Sequence, residues 1–209
     1  MVRRRIDGMG LAAGMLVFLG CALVARSGKV TAPERAVFET INHLPDALEP
    51  IGFGVQFLGV LAIGPVVALV ALLVRRPRLA LAALSVTVLK LVAERIVWRV
   101  VERSRPGSTE PEAIVRAGTA KTGAAFVSGH VLLVTGLAVV TTPYLSGRWR
   151  ITPWVVVGLV SFARIYLGAH NPIDVLGGFA LGYAIGSLVN LVLGVPADMA
   201  DANAERTGA

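Results

Sequence analysis

Six apolar runs divide this chain, at 9–25, 50–74, 79–101, 126–145, 151–167 and 175–196. No other feature limits the fold as strongly. The hydrocarbon core of a bilayer is about 30 Å thick and takes roughly 20 apolar residues of helix to cross. Inside it each backbone N–H and C=O must find a partner within the protein, which leaves helices for runs of this kind. The expectation is an all-α integral membrane protein, a bundle of six transmembrane helices in one domain over 1–198. Composition agrees: 55% of the 209 residues are hydrophobic and 16% are charged, where a soluble domain carries about 25% charge.

The first run follows Arg3, Arg4 and Arg5 and has the outline of a signal peptide. It is long for a signal core, and keeping it makes the later topology consistent, so it is read as the first span. Segment 33–48 mixes Glu34, Arg35, Glu39 and Asp46 with apolar residues and reads as a short amphipathic helix at the interface. The 50–74 run is free of charge, and Gly52, Gly54, Gly59 and Gly64 suit close helix packing. The 79–101 run carries Lys90, Glu94 and Arg95; Lys90 and Glu94 are four residues apart and can pair on one face. Trp98 and Trp154 read as packing or interface anchors. The polar segment 199–209 is expected to be a disordered cytoplasmic tail.

The net charge is +7. Its arginines do not form a stripe interleaved with aromatic residues, so no nucleic acid partner is expected. They sit in short turns, Arg75, Arg76 and Arg78, then Arg148 and Arg150. Such turns face the cytoplasm by the positive-inside rule, which puts both termini there as well. Segment 102–125 then lies outside, yet Arg103, Arg105, Arg116 and Lys121 make it basic too. A phosphate site explains that excess, with Arg103, Arg116 and Lys121 read as solvated or headgroup-facing.

Three clusters fall on that outer face: Arg99 to Pro106, then Ser128-Gly129-His130, then Arg164, His170 and Asp174. Arginine offers a planar pair of donors that matches phosphate oxygens. A Ser-Gly pair opening a helix offers a hydroxyl and free N–H groups to an anion. Two histidines allow one to attack phosphorus while the other protonates the leaving oxygen. Asn171-Pro172 reads as a helix start, so Asp174 in the first turn can reach back to orient His170. Fixed cations repel a divalent ion, and no metal or other cofactor is expected.

These clusters resemble the signature of the type 2 phosphatidic acid phosphatase family, which belongs to a superfamily shared with bacterial lipid pyrophosphate phosphatases and vanadium haloperoxidases. That signature is Lys-x6-Arg-Pro, Pro-Ser-Gly-His and Ser-Arg-x5-His-x3-Asp. Arg105-Pro106, Ser128-Gly129-His130 and Arg164-x5-His170-x3-Asp174 match it in order and spacing. The resemblance implies that His170 is the nucleophile, Asp174 its orienter and His130 the general acid. It implies that Arg105, Ser128, Gly129 and Arg164 hold phosphoryl oxygens. The chain departs from the signature at Trp98, Val127 and Ala163, where the family has Lys, Pro and Ser. Arg99 is the candidate to replace the lysine.

The implied function is a membrane lipid phosphatase acting on a polyprenyl pyrophosphate, phosphatidic acid or phosphatidylglycerol phosphate. Its place is a bacterial cell membrane, its site outside the cytoplasm. A lipid phosphate and the bilayer are the partners, with room for a homo-oligomer. The rivals are a phosphotransferase using the same intermediate and a silent lipid-binding protein.

Overall fold

In the computed structural model, residues 2–196 are described; the expected tail and the last residues of the expected domain lie outside them. The chain runs through α1 (Arg5–Arg26), α2 (Ala32–Asn42), α3 (Glu49–Gln56), α4 (Ile63–Leu73), α5 (Pro77–Val100), α6 (Pro106–Thr109), α7 (Gly129–Thr141), α8 (Thr152–Tyr166) and α9 (Pro172–Leu193). Proline opens α5, α6 and α9, where its missing N–H costs no helical hydrogen bond. The protein is all-α among its described residues, apart from two isolated β-bridges.

By length and composition α1 and α9 can each cross a membrane, and α3 with α4 makes a third if that bent pair is one span. The expected continuous span at 50–74 is therefore corrected. It breaks after the short turn Phe57–Gly59, and its two halves are bent by 63°. Packing explains the break. Gly59 lies against the His130 side chain and Gly64 against Thr87, with no room for a Cβ at either position. One straight helix would not serve both contacts. Charge keeps the long α5 from qualifying on composition, and α7 and α8 are short.

Helix α7 is the centre of the bundle; its residues from Val131 to Val140 are all buried. Helix α9 packs along it through Gly178, Gly182 and Gly186, which leave the two backbones in contact. On its other side α9 packs antiparallel to α1, and Val2 and Val195 close that pair with a β-bridge. Helix α5 reaches α7 where Val86 meets Gly136. Three hydrogen bonds mark one end of the bundle. Val2 and Val195 exchange backbone bonds there, and the Arg76 guanidinium donates to the Tyr144 carbonyl at 2.7 Å. The amino ends of α7 and α9 and the carboxyl end of α8 lie at the opposite end.

Candidate active site

Helix ends converge at that opposite end. The last turn of α8 carries Arg164, which is 4% exposed. The Arg164 carbonyl accepts the N–H groups of both Ala169 and His170, at 3.1 and 3.2 Å. The chain thereby folds back on the helix it has just left, which returns His170 to the level of Arg164. Gly168 makes this turn possible: its φ is +73°, and a Cβ there would strike the Ile114 carbonyl. Asn171 then opens α9, and its N–H donates to Asp174 Oδ2 at 2.9 Å.

His170 Nδ1 stands 3.9 Å from Asp174 Oδ2, within ion-pair range but beyond a hydrogen bond. Burial, with Arg164, Arg105 and His130 beside it, holds the His170 pKa well below the ordinary imidazole value; the Ala125 carbonyl pulls the other way. Arg105 is the residue before α6, and it donates to the Ala169 carbonyl at 3.2 Å. Burial lowers the Arg105 pKa, against the charges of Asp174 and Glu94. Ser128 precedes the first turn of α7 and is fully buried; its N–H donates to the Asp174 carbonyl at 3.0 Å. His130 is the second residue of α7, where the charges of Arg164, Lys90 and Arg105 act on its ring.

The hydrogen-bond inventory of this cluster is incomplete on both sides, with Asp174 Oδ1 an unpartnered acceptor and several donors left over. Arg105 Nε, Arg164 Nε and the Ser128 hydroxyl are buried and have no hydrogen-bond partner among the described residues. Buried donors left this way are costly unless something binds them. All three are the kind that grip an anion. Among the described residues no three His, Cys, Asp or Glu side chains gather as a metal group.

Residues 78–195 match the model of the PAP2 superfamily. The chain belongs to the PAP2 superfamily. The lipid A 4'-phosphatase of Porphyromonas gingivalis is 37% identical to it over 65 residues, 31% of this chain and 28% of that protein. The undecaprenyl-diphosphatase of Sulfolobus acidocaldarius is 29% identical over 123 residues, 56% of this chain and 57% of that protein. The chain thus spans less than two-thirds of the length of either curated relative. Two solved structures share the fold. The Aquifex aeolicus LpxE crystal structure has a TM-score of 0.65 at 20% identity, covering 76% of this chain and 95% of that one. The first transmembrane PAP2 type phosphatidylglycerolphosphate phosphatase from Bacillus subtilis has a TM-score of 0.69 at 24% identity, covering 86% and 94%.

In this PAP2 chain the fold gathers Arg105, Ser128, Gly129, His130, Arg164, His170 and Asp174. Arg99 is left out. Helix α5 stays regular to Val100, which leaves Trp98 and Arg99 exposed on its outer face. The cation that α5 does bring inward is Lys90, bonded to Glu94 at 2.6 Å as its spacing suggested. This pair packs against Gly129, where a Cβ would collide with the Glu94 carboxylate and the Lys90 stem.

Two further expectations are corrected. Arg103 and Arg116 are not solvated: both side chains are buried. Arg116 stacks on the Tyr166 ring at 4.1 Å and donates to the carbonyls of Asn42, Tyr166 and Leu44. It staples the 102–125 loop to α2 and α8. Arg103 pairs with Glu34 and Asp174. The residue missed altogether is Gln56, whose Oε1 accepts from Arg164 at 2.6 Å. Its signal was present, as the one amide in an apolar run without charge.

Proposed function

We propose that this protein is a membrane lipid phosphatase that works through a phosphohistidine. The observation that carries the reading is the set of unpartnered donors: Arg105 Nε, Arg164 Nε and the Ser128 hydroxyl, buried around two histidines. A phosphoryl group with its three peripheral oxygens satisfies all three donors. With Nδ1 turned to Asp174, His170 presents Nε2 to phosphorus. The N–P bond forms as the bond from phosphorus to the lipid oxygen breaks, and His130 gives that oxygen its proton. Water then attacks the phosphohistidine and returns a proton to His130. The N–P bond breaks, inorganic phosphate leaves, and both imidazoles regain their starting forms. The incoming anion offsets the cations around His130, so the proton can reside there when it is needed. No metal enters this scheme.

The fold supports a six-span arrangement: α1, the bent α3–α4 pair, α5, α7, α8 and α9. The Arg76–Tyr144 bond joins two of the arginine-rich turns at the end opposite the site. With those turns cytoplasmic, the site faces outward in a cell membrane. The names of the two curated relatives fit a lipid phosphate or pyrophosphate as substrate.

The deciding experiment is phosphate release from phosphatidic acid, phosphatidylglycerol phosphate and a polyprenyl pyrophosphate in detergent, with and without EDTA. Release that survives EDTA and disappears in His170→Ala is expected. Turnover retained by His170→Ala, or lost to EDTA and restored by a divalent ion, overturns the scheme. Phosphate passed to an added acceptor lipid instead of water makes the protein a transferase.

A further inference from the structure

In the proposed mechanism Asp174 orients His170, yet Asp174 has to be held in place itself. It is fully buried. One oxygen, Oδ2, accepts from the Asn171 N–H and faces His170 at 3.9 Å. The other, Oδ1, faces Arg103 Nε at 3.3 Å, an ion pair that lacks hydrogen-bond alignment. The same guanidinium donates through its second terminal nitrogen to Glu34 Oε1 at 2.7 Å. Glu34 Oε1 also accepts the Ile173 N–H, in the first turn of α9, at 3.1 Å. Arg103, Glu34 and Asp174 are all buried.

We propose that Arg103 and Glu34 are positioning residues, a buried guanidinium–carboxylate relay that sets the Asp174 carboxylate and through it the His170 ring. A guanidinium is planar and can address two carboxylates at fixed angles, which an ammonium cannot. In a buried site it is the counter-charge that lets two carboxylates stand close together. Glu34 comes from α2 and receives a free N–H at the start of α9, so it locks the helix that carries Asp174 as well as the guanidinium. Helix α2 is thereby more than an amphipathic segment at an interface. Its Arg35–Glu110 bond at 2.6 Å and the Asn42 bonds to the Ile114 and Tyr166 carbonyls strap it to the 102–125 loop and to the end of α8.

The inference rests on His170 being the nucleophile, and it is tested by two readouts, of which one needs no turnover. The first is kcat and KM on a lipid phosphate for Arg103→Met, Arg103→Lys, Glu34→Ala, Asp174→Asn and the Arg103→Met/Asp174→Asn double variant. Arg103→Met should lower kcat about a hundredfold with KM changed less than about threefold, the size of effect a misplaced reacting group produces. Arg103→Lys should recover about tenfold of that loss, because the charge remains without the two-pronged geometry. Glu34→Ala should fall between them, and Arg103→Met should cost nothing further once Asp174 is Asn. Losses that multiply in the double variant, or a KM that rises as far as kcat falls, overturn the proposal.

The second readout is the ¹⁵N spectrum of the His170 ring in detergent at neutral pH. One tautomer is expected in the native protein and a mixture in Arg103→Met. An unchanged His170 spectrum overturns the relay. Should Arg103→Met fail to fold, Arg103→Lys carries both readouts, and native kcat together with a native spectrum in that variant sinks the idea. Should the native protein release no phosphate from any lipid phosphate, the phosphatase reading falls, while the spectrum still decides whether Arg103 governs His170 through Asp174.

Discussion

Arg164 and Gln56 lie 2.6 Å apart, guanidinium to amide oxygen, joining the last turn of α8 to the end of α3 just before its apolar run breaks. Both side chains are buried, so the bond is charge-assisted and shielded from water. Gln56→Leu should therefore do more than loosen the fold. It leaves the Arg164 guanidinium one partner short in a dry site, a loss of about 1.5–3 kcal/mol. The expected reading is a rise in KM for a lipid phosphate of roughly tenfold or more. Steady-state phosphate release in detergent checks it; an unchanged KM would separate Gln56 from the phosphate.

The turn between Arg164 and His170 makes a second claim. Gly168 holds a φ of +73° with the Ile114 carbonyl against its α-carbon. Gly168→Ala meets both obstacles, at a cost of about 1–3 kcal/mol. The midpoint of thermal unfolding in detergent should fall by several degrees. Because the strain sits between Arg164 and His170, kcat should fall as well. Native activity in a destabilised variant would show that the turn can relax without moving His170.

How much of this could be read from the chain alone differs by residue. The x5 spacing from Arg164 to His170 and the Asn171-Pro172 helix start are local signals, and the structure turns and restarts at those residues. Arg103 and Arg116 carry no such signal. Glu34 lies 69 residues before Arg103 and Asn42 lies 74 before Arg116. A loop arginine bound to a distant acid looks the same in sequence as one bound to water. The break at Gly59 was equally hidden. A run rich in glycine suits a straight, tightly packed span or a bent one. What selects the bend is packing on both Thr87 and His130, outside the run itself.

His170 gives a pH dependence whose sign can be worked out. Its folded pKa lies well below 6.5, chiefly through burial and then through Arg164. Above pH 6.5 the ring is neutral in both folded and unfolded chains, and the folded state keeps its full advantage. As pH falls below 6.5, the unfolded chain takes up a proton that the folded chain refuses, and stability drops until the folded pKa is passed. Thermal midpoints measured from pH 8 to pH 5 should therefore decline on the acid side. His170→Gln should make that decline shallower. An equal decline in both proteins would mean that His170 is protonated as readily in the fold as outside it.

Helix α5 supplies the last test, and it turns on which face a residue occupies. Trp98 holds the position of the family lysine but is 42% exposed, and Arg99 beside it also points away from the cluster. Lys90 is the α5 cation whose charge acts on His130. Arg99→Ala should therefore leave kcat/KM within about twofold, as surface changes away from a site commonly do. Trp98→Lys should bring no gain, since its side chain would leave the helix in the same outward direction. Lys90→Gln removes a positive charge beside the Gly129–His130 turn and leaves Glu94 with an amide partner in place of an ammonium. An uncompensated carboxylate there weakens the site's hold on an anion, so KM should rise about tenfold, the effect of roughly one lost charged contact. Phosphate release from the three variants, run side by side, separates the faces. A large loss in Arg99→Ala with none in Lys90→Gln would require α5 to rotate from the orientation described, and would restore Arg99 as the stand-in for the lysine.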